Sequence, residues 1–325
     1  ADPPALVFRG ADGHRELVTY AQLYASAARL ASALRSAGVA PGDRVAGIMP
    51  NRPETVIAML ATASIGAIWS SCSPDFGTHG VLDRFGQIRP KVLFTADGYY
   101  YNGKTLDSLA PIAAVLEQLD SIEQVVVVPF ITAAPAISTI DNAVLWKTFL
   151  GDDTDLAFEA MPFSHPLYVM YSSGTTGMPK GIARAFPNEP LEAAPGAVQG
   201  LLQLLFGMDD SKRYLSPAPL YHAAPLRFCL ATHGIGATIV AMEHFDAEEY
   251  LRLVDGYDIT HSQVVPTMFV RMLKLPEETR AKYDVSSLEC VIHAAAPCPV
   301  PVKQQMIAWF GPVIHEYYAG SEGNG

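Results

Sequence analysis

The chain has 325 residues, 50% of them hydrophobic and 17% charged, with a formal net charge of −11. That is enough apolar material for one large domain or two smaller ones, and it excludes a disordered chain. So acidic a protein does not suit nucleic-acid backbones or anionic membranes as general partners, although a local basic site for one anionic ligand stays open.

Helix and strand patterns alternate along the chain. From Thr19, the residues Leu23, Ala27, Leu30 and Leu34 recur on one helical face, and Gly38 with Pro41 and Gly42 stops the run. Val45 to Met49 reads as a buried strand. Asn51 is a candidate cap for the next helix, with Pro53 in its first turn. Lys91–Thr95 and Val125–Phe130 are further apolar runs, with a helix expected over Leu106–Leu119 between them. The stretch Phe186–Gly196 reads as a loop or junction. Beyond it, Gly236–Met242 and Ile259–Val265 read as strands, Ala247–Val254 and the segment through Met272 as helices. Cys290–His293 precedes a helix over Val302–Phe310, and Pro312–Tyr318 returns as a strand. This rhythm predicts an α/β fold with mainly parallel sheets flanked by helices, in which ligands bind at the carboxyl ends of strands.

Cys72, Cys229, Cys290 and Cys298 form no CxxC pair and no close cluster with zinc spacing. They read as buried or incidental thiols of a reducing, cytoplasmic compartment. The longest apolar stretch, Val56–Trp69, holds Thr, Ser and Gly and is too short for a membrane span, and no signal peptide is visible. The chain begins ADPP, without Met, and stops at Gly325 directly after a motif-like run, so both ends read as those of an excised piece.

The sharpest feature is Tyr171 to Gly181, YSSGTTGMPKG, preceded by the apolar run Leu167–Met170. Gly174 and Gly177 let backbone N–H groups approach an anion. Ser172, Ser173, Thr175 and Thr176 add hydroxyl donors, and Lys180 adds positive charge. The set can hold a polyphosphate. It is not the usual P-loop, since Pro179 stands where the second glycine belongs.

This segment resembles the signature of the adenylate-forming superfamily of acyl-CoA synthetases, luciferases and peptide-synthetase adenylation domains. Leu220-Tyr221-His222 resembles the aromatic/His segment beside the acyl pocket of that family. Ala294, Ala295, Ala296 and Pro297 resemble the small-residue turn against the adenine. Tyr318, Ala319, Gly320, Ser321 and Glu322 resemble the Tyr-Gly-x-Thr-Glu motif, with Ala319 for the usual Gly and Ser321 for the usual Thr. The resemblance implies ATP as cofactor, coenzyme A as co-substrate and a carboxylic acid as substrate. It implies that Tyr318 stacks on adenine, Ser321 contacts the α-phosphate and Glu322 binds Mg²⁺. Thr175, Lys180, His222 and Glu322 are the expected catalytic residues, with Tyr171–Lys180 expected to face Ala294–Pro297 and Tyr318–Glu322 across one cleft.

Leu17 to about Gly181 resembles acetoacetyl-CoA synthetases, notably AIWSSCSPDFG over Ala67–Gly77. From Tyr214 onward the chain resembles fatty-acyl-CoA ligases, notably LSPAPLYHAAP over Leu215–Pro225. A chain joined between Gly181 and Tyr214 and a single divergent enzyme both fit. The second half points to a fatty or aryl acid, held in an apolar slot by Ala223, Ala224, Pro225, Val265, Met268 and Ala294–Ala295; the same residues also read as ordinary core. The family layout implies 45–205 as one α/β subdomain carrying the phosphate loop. It implies 1–44 with 206–325 as the other, carrying the acyl and adenine pocket. The C-terminal lid is expected to be absent, leaving residues 1–325 with little activity alone.

Rival readings are a catalytically impaired nucleotide-binding fragment and a serine hydrolase. The latter rests on Ala319–Gly323, one residue from G-x-S-x-G around Ser321. A Rossmann dehydrogenase is excluded, since no G-x-G-x-x-G occurs.

Overall fold

The computed structural model describes residues 2–10, 13–101, 103–162, 165–171, 181–183 and 197–318. Contacts divide the chain into one unit of residues 1–20 with 191–325 and another of 21–190.

β1 (Pro4–Arg9) and β2 (Arg15–Thr19) form an antiparallel pair. α1 (Tyr20–Ser36) follows, burying Leu23, Ala27, Leu30 and Leu34 as their spacing requires. It ends in glycine turns, Gly38 at φ 77° and Gly42 at φ 86°, which no β-carbon residue adopts cheaply. The second unit then builds β3 (Arg44–Ile48), α2 (Pro53–Ser64), β4 (Ile68–Cys72), α3 (Gly77–Ile88) and β5 (Val92–Ala96). It continues with β6 (Gly98–Tyr101), β7 (Lys104–Asp107), α4 (Leu109–Leu116), β8 (Gln124–Val128), β9 (Ala143–Leu145), α5 (Trp146–Phe149), β10 (Tyr168–Tyr171) and β11 (Gly181–Ala183). Its main sheet has the order β11-β10-β4-β3-β5-β8-β9, parallel throughout except for β10–β11.

The first unit resumes with α6 (Ala197–Phe206), β12 (Arg213–Ser216), α7 (Ala223–Ile235), β13 (Thr238–Met242) and α8 (Ala247–Tyr257). β14 (His261–Val264), α9 (Pro266–Leu273), α10 (Glu277–Arg280), β15 (Cys290–His293), α11 (Val300–Phe310) and β16 (Ile314–Glu316) complete it. Its sheet runs β16-β15-β14-β12-β13-β1-β2, with β1–β2 the antiparallel edge. The expected architecture of two mainly parallel sheets flanked by helices is the observed one.

Side-chain alternation builds the cores. In the first unit Leu215, Val240, Val264 and Val291 share a face and pack with Tyr250, Leu253, Phe269, Met306 and Phe310 of α8, α9 and α11. In the second, Ile48, Leu93, Val125 and Val127 pack with Val81, Phe85, Ile112 and Val115 of α3 and α4.

Three local expectations change. Arg52, not Asn51, occupies the cap position of α2, and its side chain makes no cap hydrogen bond; Pro53 at the first turn lacks one of the orphan donors anyway. The helix expected from Leu106 begins at Leu109, because Lys104–Asp107 turns back on Gly98–Tyr101 as a hairpin. The unit limits also fall away from 45–205 and 1–44 with 206–325. α1 is held in the second unit, where Arg29 Nε donates to the Gly151 carbonyl at 2.8 Å and Ser32 Oγ to Asp153 at 2.6 Å. α6 stays in the first, where the His261 ring meets the Phe206 carbonyl at 2.7 Å. The junction expected over Phe186–Gly196 lies outside the described residues. No helix among the described residues is long and apolar enough to cross a membrane.

Candidate functional site

Parallel α/β sheets place ligands where the strand order reverses, outside the carboxyl ends. In the second unit the chain goes from β3 to β4 on one side and then to β5 on the other, so the reversal lies between β3 and β5. There Asp97, 6% exposed, follows β5. Its carboxylate accepts the N–H groups of Phe130 (2.6 Å), Ile131 (2.9 Å) and Thr132 (2.8 Å) and the Thr132 hydroxyl (2.6 Å). This fixes the loop after β8. Beside it lies a groove of about 560 Å³ lined by Asp97, Asp107, Ala113, Glu117 and Thr132 among others.

β10 and β11 bracket the phosphate-loop motif: Tyr171 and Gly181 are register partners on adjacent antiparallel strands. The residues between them, Ser172, Ser173, Gly174, Thr175, Thr176, Gly177 and Lys180 included, lie outside the described residues. At the motif's first residue, the Tyr171 hydroxyl donates to the Arg84 carbonyl at 2.7 Å, and burial pushes its pKa up. The Arg84 guanidinium sits 4.0 Å above the Phe76 ring and 5.9 Å from that of Tyr171, so a cation is held beside the point where the motif begins.

In the first unit the chain passes from β12 to β13 on one side and then to β14 on the other. The reversal lies between β12 and β14. The loop after β12 carries Leu220, Tyr221 and His222; the His222 ring lies 4.5 Å from that of Tyr221, at the position that opens α7. After β15 comes the small-residue turn. Ala294 is buried, whereas Ala295, Ala296 and Pro297 are exposed, and Ala295 is left-handed at φ 72°. After β16 the Tyr317 N–H donates to the His293 carbonyl at 3.2 Å, and Tyr318 follows, 96% exposed. Because β12, β14, β15 and β16 are parallel, His222, Ala294–Pro297 and Tyr318 all lie along one carboxyl edge. Ala319, Gly320, Ser321 and Glu322 lie outside the described residues. Of the expected acyl-slot residues, Met268 belongs to the hydrophobic core and Val265 packs against it, while Ala223 and Ala224 are partly exposed in the first turn of α7. Among the described residues no group of three or more His, Cys, Asp or Glu could hold a metal.

The same edge holds polar side chains that the sequence reading passed over. Tyr214 Oη, Gln263 Oε1 and His293 Nδ1 are buried with no hydrogen-bond partner among the described residues; the Ser216 hydroxyl lies beside the Cys229 thiol, and His293 Nε2 lies 3.9 Å from the Glu316 carboxylate. Burial lowers the His293 pKa, which favours the neutral ring. The signal was available: His261, Ser262 and Gln263 are polar residues in a four-residue strand buried on both faces.

A family model described as AMP-binding enzyme matches residues 1–325. The acetoacetyl-coenzyme A synthetase of Rhizobium meliloti (strain 1021) is 50% identical over 184 residues, 56% of this chain and 28% of that protein. The acetoacetyl-CoA synthetase of Gallus gallus is 48% identical over 183 residues, 54% of this chain and 27% of that protein. The solved acetoacetyl-CoA synthetase from Streptomyces lividans superposes with a TM-score of 0.84 at 32% identity, covering 98% of this chain and 49% of that one. The chain therefore spans about half the length of that relative. A family match over the whole of residues 1–325, on a fold shared throughout with a solved relative, shows that this chain belongs to the AMP-binding enzymes.

Proposed function

We propose that this chain activates a carboxylic acid with ATP, giving an acyl-adenylate and pyrophosphate, for transfer of the acyl group to the thiol of coenzyme A. The observation that carries the reading is the gathering of His222, Ala294–Pro297 and Tyr318 on one carboxyl edge of a family-wide fold. In this reading Ser172, Ser173, Gly174, Thr175, Thr176, Gly177 and Lys180 hold the phosphates. Ala294–Pro297 and Tyr318–Gly320 would hold the adenosine, Ser321 would contact the α-phosphate, and Glu322 would hold the Mg²⁺ that accompanies the nucleotide and offsets phosphate charge. Attack of a carboxylate on the α-phosphorus needs alignment and charge neutralisation more than proton transfer, which is what N–H groups, hydroxyls and Lys180 supply.

The acid is proposed to be fatty or aryl, from the text around His222 and Val265. Acetoacetate is the second reading, favoured by the names of the relatives. Pyrophosphate exchange with the 325-residue chain, screened over straight-chain acids, aryl acids and acetoacetate, tests both. Exchange with one class selects it. ATP binding without exchange on any acid, even when the part of the Streptomyces lividans relative that this chain does not cover is added in trans, would overturn the enzymatic reading and leave a nucleotide-binding piece.

A further inference from the structure

We propose that Gln263 is a specificity-determining residue that selects an acid carrying a hydroxyl on its acyl part; this rests on the acid-activating reading above. Gln263 is 2% exposed and lies next to the carboxyl end of β14, at the strand reversal. The pairings Tyr214↔His261 and Leu215↔Ser262 make Ser216 its neighbour on β12. Alternation puts Tyr214, Ser216 and Gln263 on the sheet face opposite the Leu215, Val264 and Val291 core. That face meets α7, whose Phe228 ring stacks 6.3 Å from Tyr214 and lies 6.1 Å from Tyr317. The same helix opens with the small residues Ala223 and Ala224.

The orientation of the amide is set by the hydrogen bond it makes among the described residues. Nε2 donates to the Val264 carbonyl at 3.2 Å, which identifies the other atom as the oxygen. That oxygen is buried with no donor among the described residues, and the Tyr214 hydroxyl on the same face is likewise buried without a hydrogen-bond partner among them, while the Ser216 hydroxyl lies beside the Cys229 thiol. Leaving a buried acceptor unpaired is unfavourable, and a leucine or methionine would fill the position without that penalty. A polar group kept at this cost beside a ligand-binding edge is explained by a donor that arrives with the ligand. An amide oxygen accepts only, so the arriving group must present an O–H or N–H donor; a hydroxyl is the group that can also accept from the Tyr214 and Ser216 hydroxyls on the same face. A purely hydrocarbon acyl chain would leave the Gln263 oxygen and the Tyr214 hydroxyl unpaired.

The test compares matched pairs of acyl-sulfamoyl-adenosines, hydroxylated and plain, of four to eight carbons, titrated calorimetrically into the 325-residue chain and its Gln263→Leu and Gln263→Met variants. The wild type is expected to bind at least one hydroxylated member about 10-fold or more tighter than its plain partner. Both variants should abolish that preference while binding the plain analogues as well as wild type does. Their urea midpoints should stay close to that of the wild type, since the lost Nε2–Val264 bond is offset by removal of an unpaired acceptor; a clearly lowered midpoint in both would assign Gln263 to the fold and overturn the proposal. Equal affinity for the members of every pair in the wild type, or an unchanged preference in the variants, would also overturn it while leaving acid activation standing. If neither ATP nor any analogue binds the wild type, the acid-activating reading fails first.

Discussion

Asp97 offers a direct measure of how the second unit holds its carboxyl-end loop. Its two oxygens accept four hydrogen bonds from Phe130, Ile131 and Thr132, at 2.6–2.9 Å. In Asp97→Asn, one oxygen can still serve Phe130 and Ile131, but the NH₂ group then faces the Thr132 N–H, donor against donor. One charge-assisted bond is lost, and the other three become neutral ones, the Thr132 hydroxyl turning to accept from the NH₂ group. At about 1.5–3 kcal/mol for a bond to a charged group, discounted because Thr132 is exposed and water can replace the carboxylate there, the loss is about 2–4 kcal/mol. Asp97→Ala leaves all three N–H groups without their acceptor and is expected to lose at least as much. Thr132→Val removes only the hydroxyl bond and is expected to lose about 1 kcal/mol. Urea denaturation at constant m reads the ranking, and hydrogen exchange at residues 130–132 reads the location. Losses under about 1 kcal/mol in both Asp97 variants, with unchanged exchange at 130–132, would refute the reasoning.

Gly47→Ala would place a β-carbon 2.7 Å from the ring of Trp69, which is 1% exposed and has nowhere to move. A loss of about 2–3 kcal/mol is expected in urea, partly restored by adding Trp69→Phe; independent effects of the two changes would contradict the clash. His233 meets the Ala5 carbonyl through Nε2 at 3.1 Å and buries Nδ1 without a partner, and desolvation lowers its pKa to about 4. Since the folded value lies below the unfolded one, the stability it lends is full above pH 6.5 and is lost as pH falls toward 4. With the ring only half-buried, about 1–2 kcal/mol is at stake, so His233→Asn should flatten the acid limb of stability against pH; parallel curves would argue otherwise. Ala295, left-handed at φ 72°, predicts Gly equal to or better than Ala, by up to about 1 kcal/mol, and Val worse by about 1–2 kcal/mol. Thermal melts of the three proteins check that order, and a Val protein as stable as Ala would contradict it.

Sequence alone carried the elements whose signal is local. The spacing of Leu23, Ala27, Leu30 and Leu34 fixes the buried stripe of α1, because a helix returns to one face every 3.6 residues whatever lies opposite. The alternation of apolar runs with helices implies parallel sheets, since parallel strands need covered crossovers. The Tyr171–Gly181 motif is legible because its chemistry is carried by adjacent residues. What failed was set by groups distant in sequence. Leu106 reads as helix, yet its carbonyl lies 2.5 Å from where a β-carbon of Gly98 would be, so the hairpin exists because residue 98 has none. Strand order is likewise invisible locally: nothing in Arg213–Ser216 says that β13 lies on one side and β14 on the other, and that choice creates the crevice. Gln263 shows the same division. Its place in a strand follows from neighbouring residues, but its unpaired oxygen is a fact about its surroundings, β12 among them, which only the tertiary structure brings against it.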